Sequence, residues 1–187
     1  MPQPTRSCVR AFAADLEIRS DGRTISGIAA PFNTPTEIAD SLGHYTEVIV
    51  PGAFTRTIAE RGADKVKLLA QHDRQAFPIG RAISLRESTA GLVAEFRVAQ
   101  TQAGDEALAL LRDGVVDGLS IGFRTIRDQW SANRDRRHLL EARLEEISLV
   151  TFPAYESARV LAVREATQPL LLSAQRQLLA RKEHTYV

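Results

Sequence analysis

Three side chains of this sequence carry the chemistry of nucleophilic catalysis: a serine, a histidine and a glutamate. Ser120 lies in Asp117-Gly118-Leu119-Ser120-Ile121-Gly122-Phe123. On a strand, side chains alternate, so Leu119, Ile121 and Phe123 share one face while Ser120 and Gly122 share the other. The apolar face suits a core. The opposite face offers a hydroxyl flanked by glycines, and missing side chains there let another backbone approach closely, as a nucleophile attacking a peptide requires. The spacing matches Gly-x-Ser-x-Gly, but a nucleophile elbow needs a strand-to-helix turn, and the residues after Ser120 read as strand.

His72 follows the apolar run 66–70 and opens a loop. A general base must be held rigidly yet reach substrate, and a strand end provides both. His44 and His138 in polar loops and His184 near the C-terminus have no such support. Glu146 lies in Leu144-Glu145-Glu146-Ile147-Ser148-Leu149-Val150. In a regular strand one of the two glutamates faces away from the other. Glu146 shares its face with Leu144, Ser148 and Val150, and Glu145 with Arg143, Ile147 and Leu149. Both faces are partly apolar, so alternation does not decide between them. A carboxylate buried there needs a partner, and a histidine that becomes imidazolium is a suitable one. Asp73 is a poorer partner, because adjacent residues on an extended backbone point apart.

Strand-like segments are expected to position these groups. Residues 9–19 and 24–30 flank the turn-rich Ser20-Asp21-Gly22-Arg23 and read as a hairpin. Residues 31–41, with Pro31, Asn33, Thr34 and Pro35, read as a loop. Strand character at 45–50 ends at Pro51-Gly52, and a short helix is expected over 53–60, stopped by Gly62. Residues 78–86 and 91–99 form a second hairpin pattern. Residues 102–113 read as a helix, with Asp105 and Glu106 in its first turn and Gly114 after its end. Two longer strands, 119–129 and 139–152, are joined by a polar turn and stopped by Pro153. Residues 167–183 have an amphipathic helical pattern with Leu170, Leu171, Gln175, Leu178 and Leu179 near one stripe. The domain plan is a loose terminus at 1–8, a main domain at 9–165 and a C-terminal helix or tail at 166–187. The fold class is α+β, on a mainly antiparallel sheet or barrel.

Composition narrows the function classes. The chain has 187 residues, 24 basic and 23 acidic, a net charge of +1. No global basic field points to nucleic acid or an anionic membrane. The cluster Arg134, Arg136, Arg137 and His138 reads as a solvated turn. Cys8 is the single cysteine, so no internal disulfide forms and a reducing compartment is compatible. The start of the chain has no apolar segment of signal-peptide length, and no run reaches the ~18 apolar residues of a membrane span. These features point to the cytoplasm. There is no His-Glu-x-x-His and no Cys pair for a metal, no phosphate loop, and no dinucleotide-binding glycine pattern.

Seven fragments, in order, resemble the prohead protease family of tailed phages. They are Gly27-Ile28-Ala29 with Pro31-Phe32-Asn33; Glu47-Val48-Ile49-Val50-Pro51-Gly52-Ala53-Phe54; Leu68-Leu69-Ala70-Gln71-His72-Asp73; Pro78-Ile79-Gly80; Gly91-Leu92; Gly118-Leu119-Ser120-Ile121-Gly122-Phe123; and Glu146-Ile147-Ser148-Leu149-Val150-Thr151-Phe152-Pro153-Ala154. The resemblance spans about residues 10–163. It implies a fold similar to the herpesvirus assemblins, a mainly antiparallel β-barrel wrapped by a few helices. It implies a serine endopeptidase that removes the scaffolding portion of capsid subunits, and cleaves itself, inside the immature capsid in the host cytoplasm. Ser120, His72 and Glu146 take the order of the assemblin triad, with glutamate in place of its second histidine. No cofactor is implied. The partners implied are the major capsid protein or its scaffolding domain, with room for self-association as a dimer, and neither nucleic acid nor membrane. The tail 166–187 has two readings, a terminal helix packed on the barrel as part of its core or a docking helix for helical scaffold segments, and the docking helix, open to self-cleavage after assembly, is the one expected. Two other readings use the same residues: a non-catalytic scaffold-binding protein, in which the three side chains do not meet, and an esterase indifferent to peptides.

Overall fold

A computed structural model describes residues 7–14 and 16–151, which fall in one compact unit of the chain, Met1–Tyr155. The expected tail helix, Pro153 and His184 lie outside the described residues. The described strands are β1 (Ser7–Ala13), β2 (Glu17–Ile18), β3 (Thr24–Pro31), β4 (Thr36–Asp40), β5 (Gly43–Ile49), β6 (Lys67–Ala70), β7 (Gly80–Glu87), β8 (Gly91–Val98), β9 (Gly118–Trp130) and β10 (Arg136–Val150). Helix α1 (Thr55–Arg61) follows β5, and α2 (Gln102–Arg112) follows β8. Helix α2 begins where expected because Thr101 Oγ1 accepts the backbone N–H of Gly104 at 3.2 Å, an N-cap bond.

The ladder runs β1-β9-β10-β6-β7-β8-β3-β2, with β5 also paired to β10 and β4 to β5. It is an open path that curls into a half-barrel, an α+β arrangement with two helices. Seven of the nine described pairings are antiparallel, but the sheet is mixed and its path open, not a closed antiparallel barrel: β10 is antiparallel to β9 but parallel to both β5 and β6. Parallel neighbours need long crossovers, and here they run from Ile49 and from Ala70 to Arg136, so no local turn signal announces them.

Strands β5 and β6 share one edge of β10, against residues 136–139 and 146–149 respectively. Between them the β10 backbone has no strand neighbour on that edge, and its polar groups need other partners. The start of α1 supplies them. Ala142 N–H donates to Ala53 O at 2.8 Å. Buried Thr57 donates its hydroxyl to Ala142 O at 2.9 Å and accepts from Leu144 N–H at 3.2 Å.

Other differences have local causes. The expected 9–19 hairpin is split: β1 pairs with β9, and only Glu17 and Ile18 pair with β3. Ser7 and Cys8, expected in a loose terminus, begin β1. The expected loop 31–41 contains β4, which forms a hairpin with β5; its two prolines precede the strand rather than interrupt it. The core joins Phe12, Leu68, Phe96, Leu119, Ile121, Phe123, Ile147 and Leu149, each side chain contributing roughly 1.5–3 kcal/mol by leaving water.

The basic cluster is only partly a solvated turn. Arg134 and Arg136 are exposed, but Arg137 is 2% exposed. Its Nη1 lies 3.0 Å from Glu47 Oε2 and its Nε 2.8 Å from Asp128. Arg10 on β1 takes the other Glu47 oxygen at 2.6 Å. Burial works against the Arg10 charge, but the hydrogen bond and charge of Glu47 outweigh it and raise its pKa. Burial pushes Tyr45, whose hydroxyl joins this network, up to about 12. One carboxylate thus ties β1, β5 and β10 together. Among the described residues, no helix is long and apolar enough to cross a membrane.

Candidate active site

Ser120 is the third residue of β9, between Ala11 of β1 and Ser148 of β10. Leu119, Ile121 and Phe123 enter the core, as alternation predicts, and Ser120 points to the opposite face. Strand β6 ends at Ala70, and the chain turns through Gln71 and His72 with φ of 51° and 59°. Two successive non-glycine residues in the left-handed region are held there by their surroundings. Gln71 N–H donates to Leu149 O at 2.9 Å, and Asp73 N–H to Ala70 O at 2.9 Å. The turn swings the imidazole over β9 and β10.

The structure brings Ser120, His72 and Glu146 together. His72 Nε2 lies 2.6 Å from Ser120 Oγ, and Nδ1 lies 2.7 Å from Glu146 Oε1. A carboxylate at Glu146 accepts from Nδ1–H, which leaves Nε2 with a lone pair aimed at the serine hydroxyl. Ser120 is fully buried and Glu146 is 5% exposed. The second carboxylate oxygen is also occupied: Ser148 Oγ donates to Glu146 Oε2 at 2.7 Å and accepts the backbone N–H of His72 at 3.2 Å. Asp73 is turned away and accepts from the backbone N–H groups of Gln75 and Ala76.

Alternation failed to rank Glu145 against Glu146 because β10 is not regular there. A bulge between Leu144 and Glu146 puts both glutamates on the face of Ser120, as bulges do when they re-aim side chains. Glu145 binds Arg124 Nε at 2.5 Å, Arg74 at 2.9 Å and Ser7 Oγ at 3.1 Å. Burial pushes the Glu145 carboxyl up, but the hydrogen bonds of Arg74 and Ser7 and the Arg124 charge hold it below the ordinary range. Arg74 is two residues from His72, so this second cluster pins the histidine loop to the sheet.

Gly122 serves a purpose other than the access for a substrate backbone expected of it. A Cβ built there falls 2.1 Å from Glu146 Oε1, 2.9 Å from its Cδ and 3.1 Å from its Cγ. The missing side chain is the space in which the Glu146 carboxylate lies. Ser148 was not singled out from the sequence, although its position two residues after Glu146 was the available signal. His44 and His138 lie on β5 and β10, away from these contacts.

The chain belongs to the caudovirus prohead serine proteases, whose family profile matches residues 13–172. Among individual proteins, it is 30% identical over 154 residues to the prohead protease of Enterobacteria phage HK97, covering 80% of this chain and 65% of that protein. It is 30% identical over 92 residues to the prohead protease of Escherichia phage T5, covering 49% of this chain and 42% of that protein. The chain therefore spans less than two thirds of the length of either relative. The solved bacteriophage T4 capsid assembly protease has a similar fold, with a TM-score of 0.56 at 13% identity, covering 81% of this chain and all of that one.

Proposed function

We propose that this chain is a serine endopeptidase that cleaves the scaffolding portion of phage capsid subunits during prohead maturation. One observation carries the serine mechanism: the continuous run of contacts from Glu146 through His72 to Ser120, at 2.7 and 2.6 Å. Family membership supports the capsid substrate. Ser120 attacks the scissile carbonyl, and His72 takes its proton and later returns it to the leaving amine. Glu146 fixes the histidine tautomer and stabilises the imidazolium. The enzyme works inside the immature capsid, in the host cytoplasm, with the major capsid protein as partner and itself as a further substrate.

The test is co-expression with the neighbouring capsid gene and mass spectrometry of the capsid subunit. The intact chain should yield a shortened subunit. Ser120→Ala and His72→Ala should reduce processing by about 10⁶, as in other Ser-His systems, while remaining folded. Normal processing by Ser120→Ala would end the serine mechanism. An unprocessed subunit with the intact chain would remove the capsid substrate.

A further inference from the structure

The geometry points to Ser148 as a positioning residue: its hydroxyl orients the Glu146 carboxylate toward His72 and anchors the turn that carries the histidine. The inference rests on the roles of Ser120, His72 and Glu146 proposed above. Ser148 is fully buried on β10, directly across from Ser120 in the ladder. A hydroxyl has one proton and two lone pairs. Here the proton goes to Glu146 Oε2 at 2.7 Å and a lone pair receives the His72 N–H at 3.2 Å. One side chain therefore touches both partners of the Glu146–His72 pair without touching the hydroxyl of Ser120.

That matters because the last torsion of a glutamate is soft and roughly two-fold. Gly122 leaves space beside it, so no side chain at that position limits the carboxylate's rotation. Holding Oε2 presents Oε1 to Nδ1. The second contact acts on the backbone. His72 has a φ of 59°, a conformation that persists only where neighbours enforce it, and its own N–H ends on Ser148. Alanine would remove both restraints, whereas threonine would keep the hydroxyl.

The experiment follows nucleophile reactivity in the purified full chain with a fluorophosphonate–rhodamine probe, alongside circular dichroism melts. Ser148→Ala should lower the second-order labelling rate about 10–100-fold, the range for losing an outer hydrogen bond to a site residue. Ser148→Thr should recover most of it. In a Glu146→Gln background the Ser148→Ala effect should shrink, because the share that works through that carboxylate is lost and only the anchor on the His72 N–H remains. Wild-type labelling by Ser148→Ala, or a full and independent loss in the Glu146→Gln background, overturns the inference. If Ser148→Ala melts below the assay temperature, Ser148→Cys keeps the volume while weakening the donor, and the same two comparisons decide. An unlabelled wild-type chain, or labelling that survives Ser120→Ala, instead refutes the nucleophile assignment and takes this inference with it.

Discussion

A single methyl group added at Gly122 should disable the site while sparing the fold. The new Cβ would sit 2.1 Å from Glu146 Oε1, so the carboxylate must retreat by about 1 Å or more to reach ordinary contact distance. Its bond to His72 Nδ1 starts at 2.7 Å and would pass beyond the roughly 3.5 Å at which a hydrogen bond is lost. A misplacement of about 1 Å at a catalytic group costs about 100-fold in rate. The obstructing atoms belong to a side chain, not to backbone, so the strands need not move. The cost to folding is that of a buried carboxylate with disturbed partners, about 1–3 kcal/mol, or about 2–12 °C in melting temperature for a domain of this size. Probe labelling and capsid processing would read the rate, and calorimetry the stability. Combining Gly122→Ala with Glu146→Asp shortens the carboxylate and should recover part of the loss. Wild-type processing by Gly122→Ala would refute the reasoning, as would a structure of that variant with the Glu146–His72 contact intact.

Two further outcomes follow from the charged clusters. Glu47→Ala leaves Arg10 and Arg137 buried without their shared carboxylate, so it should destabilise by about 3–5 kcal/mol, a fall of roughly 6–20 °C by calorimetry. Glu145 has its pKa depressed by Arg74, Ser7 and Arg124, so its contribution is present above the unfolded value of roughly 4.3 and is lost as pH falls through the lower folded value. Amide exchange in the 71–79 loop should therefore accelerate more on acidification below about pH 4 than exchange in β8, and Glu145→Gln should remove that difference.

The three side chains that meet in the candidate site stood out in the sequence because each sits where the chain pattern changes. His72 ends an apolar run, Ser120 interrupts one on the face away from the core, and Glu146 is an acid inside a strand. The choice of Glu146 over Glu145 was not legible from alternation, since a bulge inserts one residue and brings both acids to the same face. Asp73 was set aside on the premise of an extended backbone, yet Gln71 and His72 are left-handed; Asp73 is elsewhere because it closes its own turn. Gly122 was recognised as an opening, but what fills it lies 24 residues further along the chain. Local signals found most strands, whereas pairings such as β1 with β9 and β6 with β10 depend on contacts that no short window contains.

The two ladders of β10 have a consequence for the nascent chain. In the described sheet this strand is the hydrogen-bonded link between β9, which carries Ser120, and β6, whose end carries His72. It also brings Glu146 itself. Until residues 136–150 have left the ribosome and been threaded between those two strands, Ser120 and His72 have no common frame. Such long-range closure is paid for late, since loop entropy must be spent before the contacts reward it. On the proposed mechanism a partly synthesised or partly folded chain should therefore be inert, with completion of the sheet as the step that assembles the site.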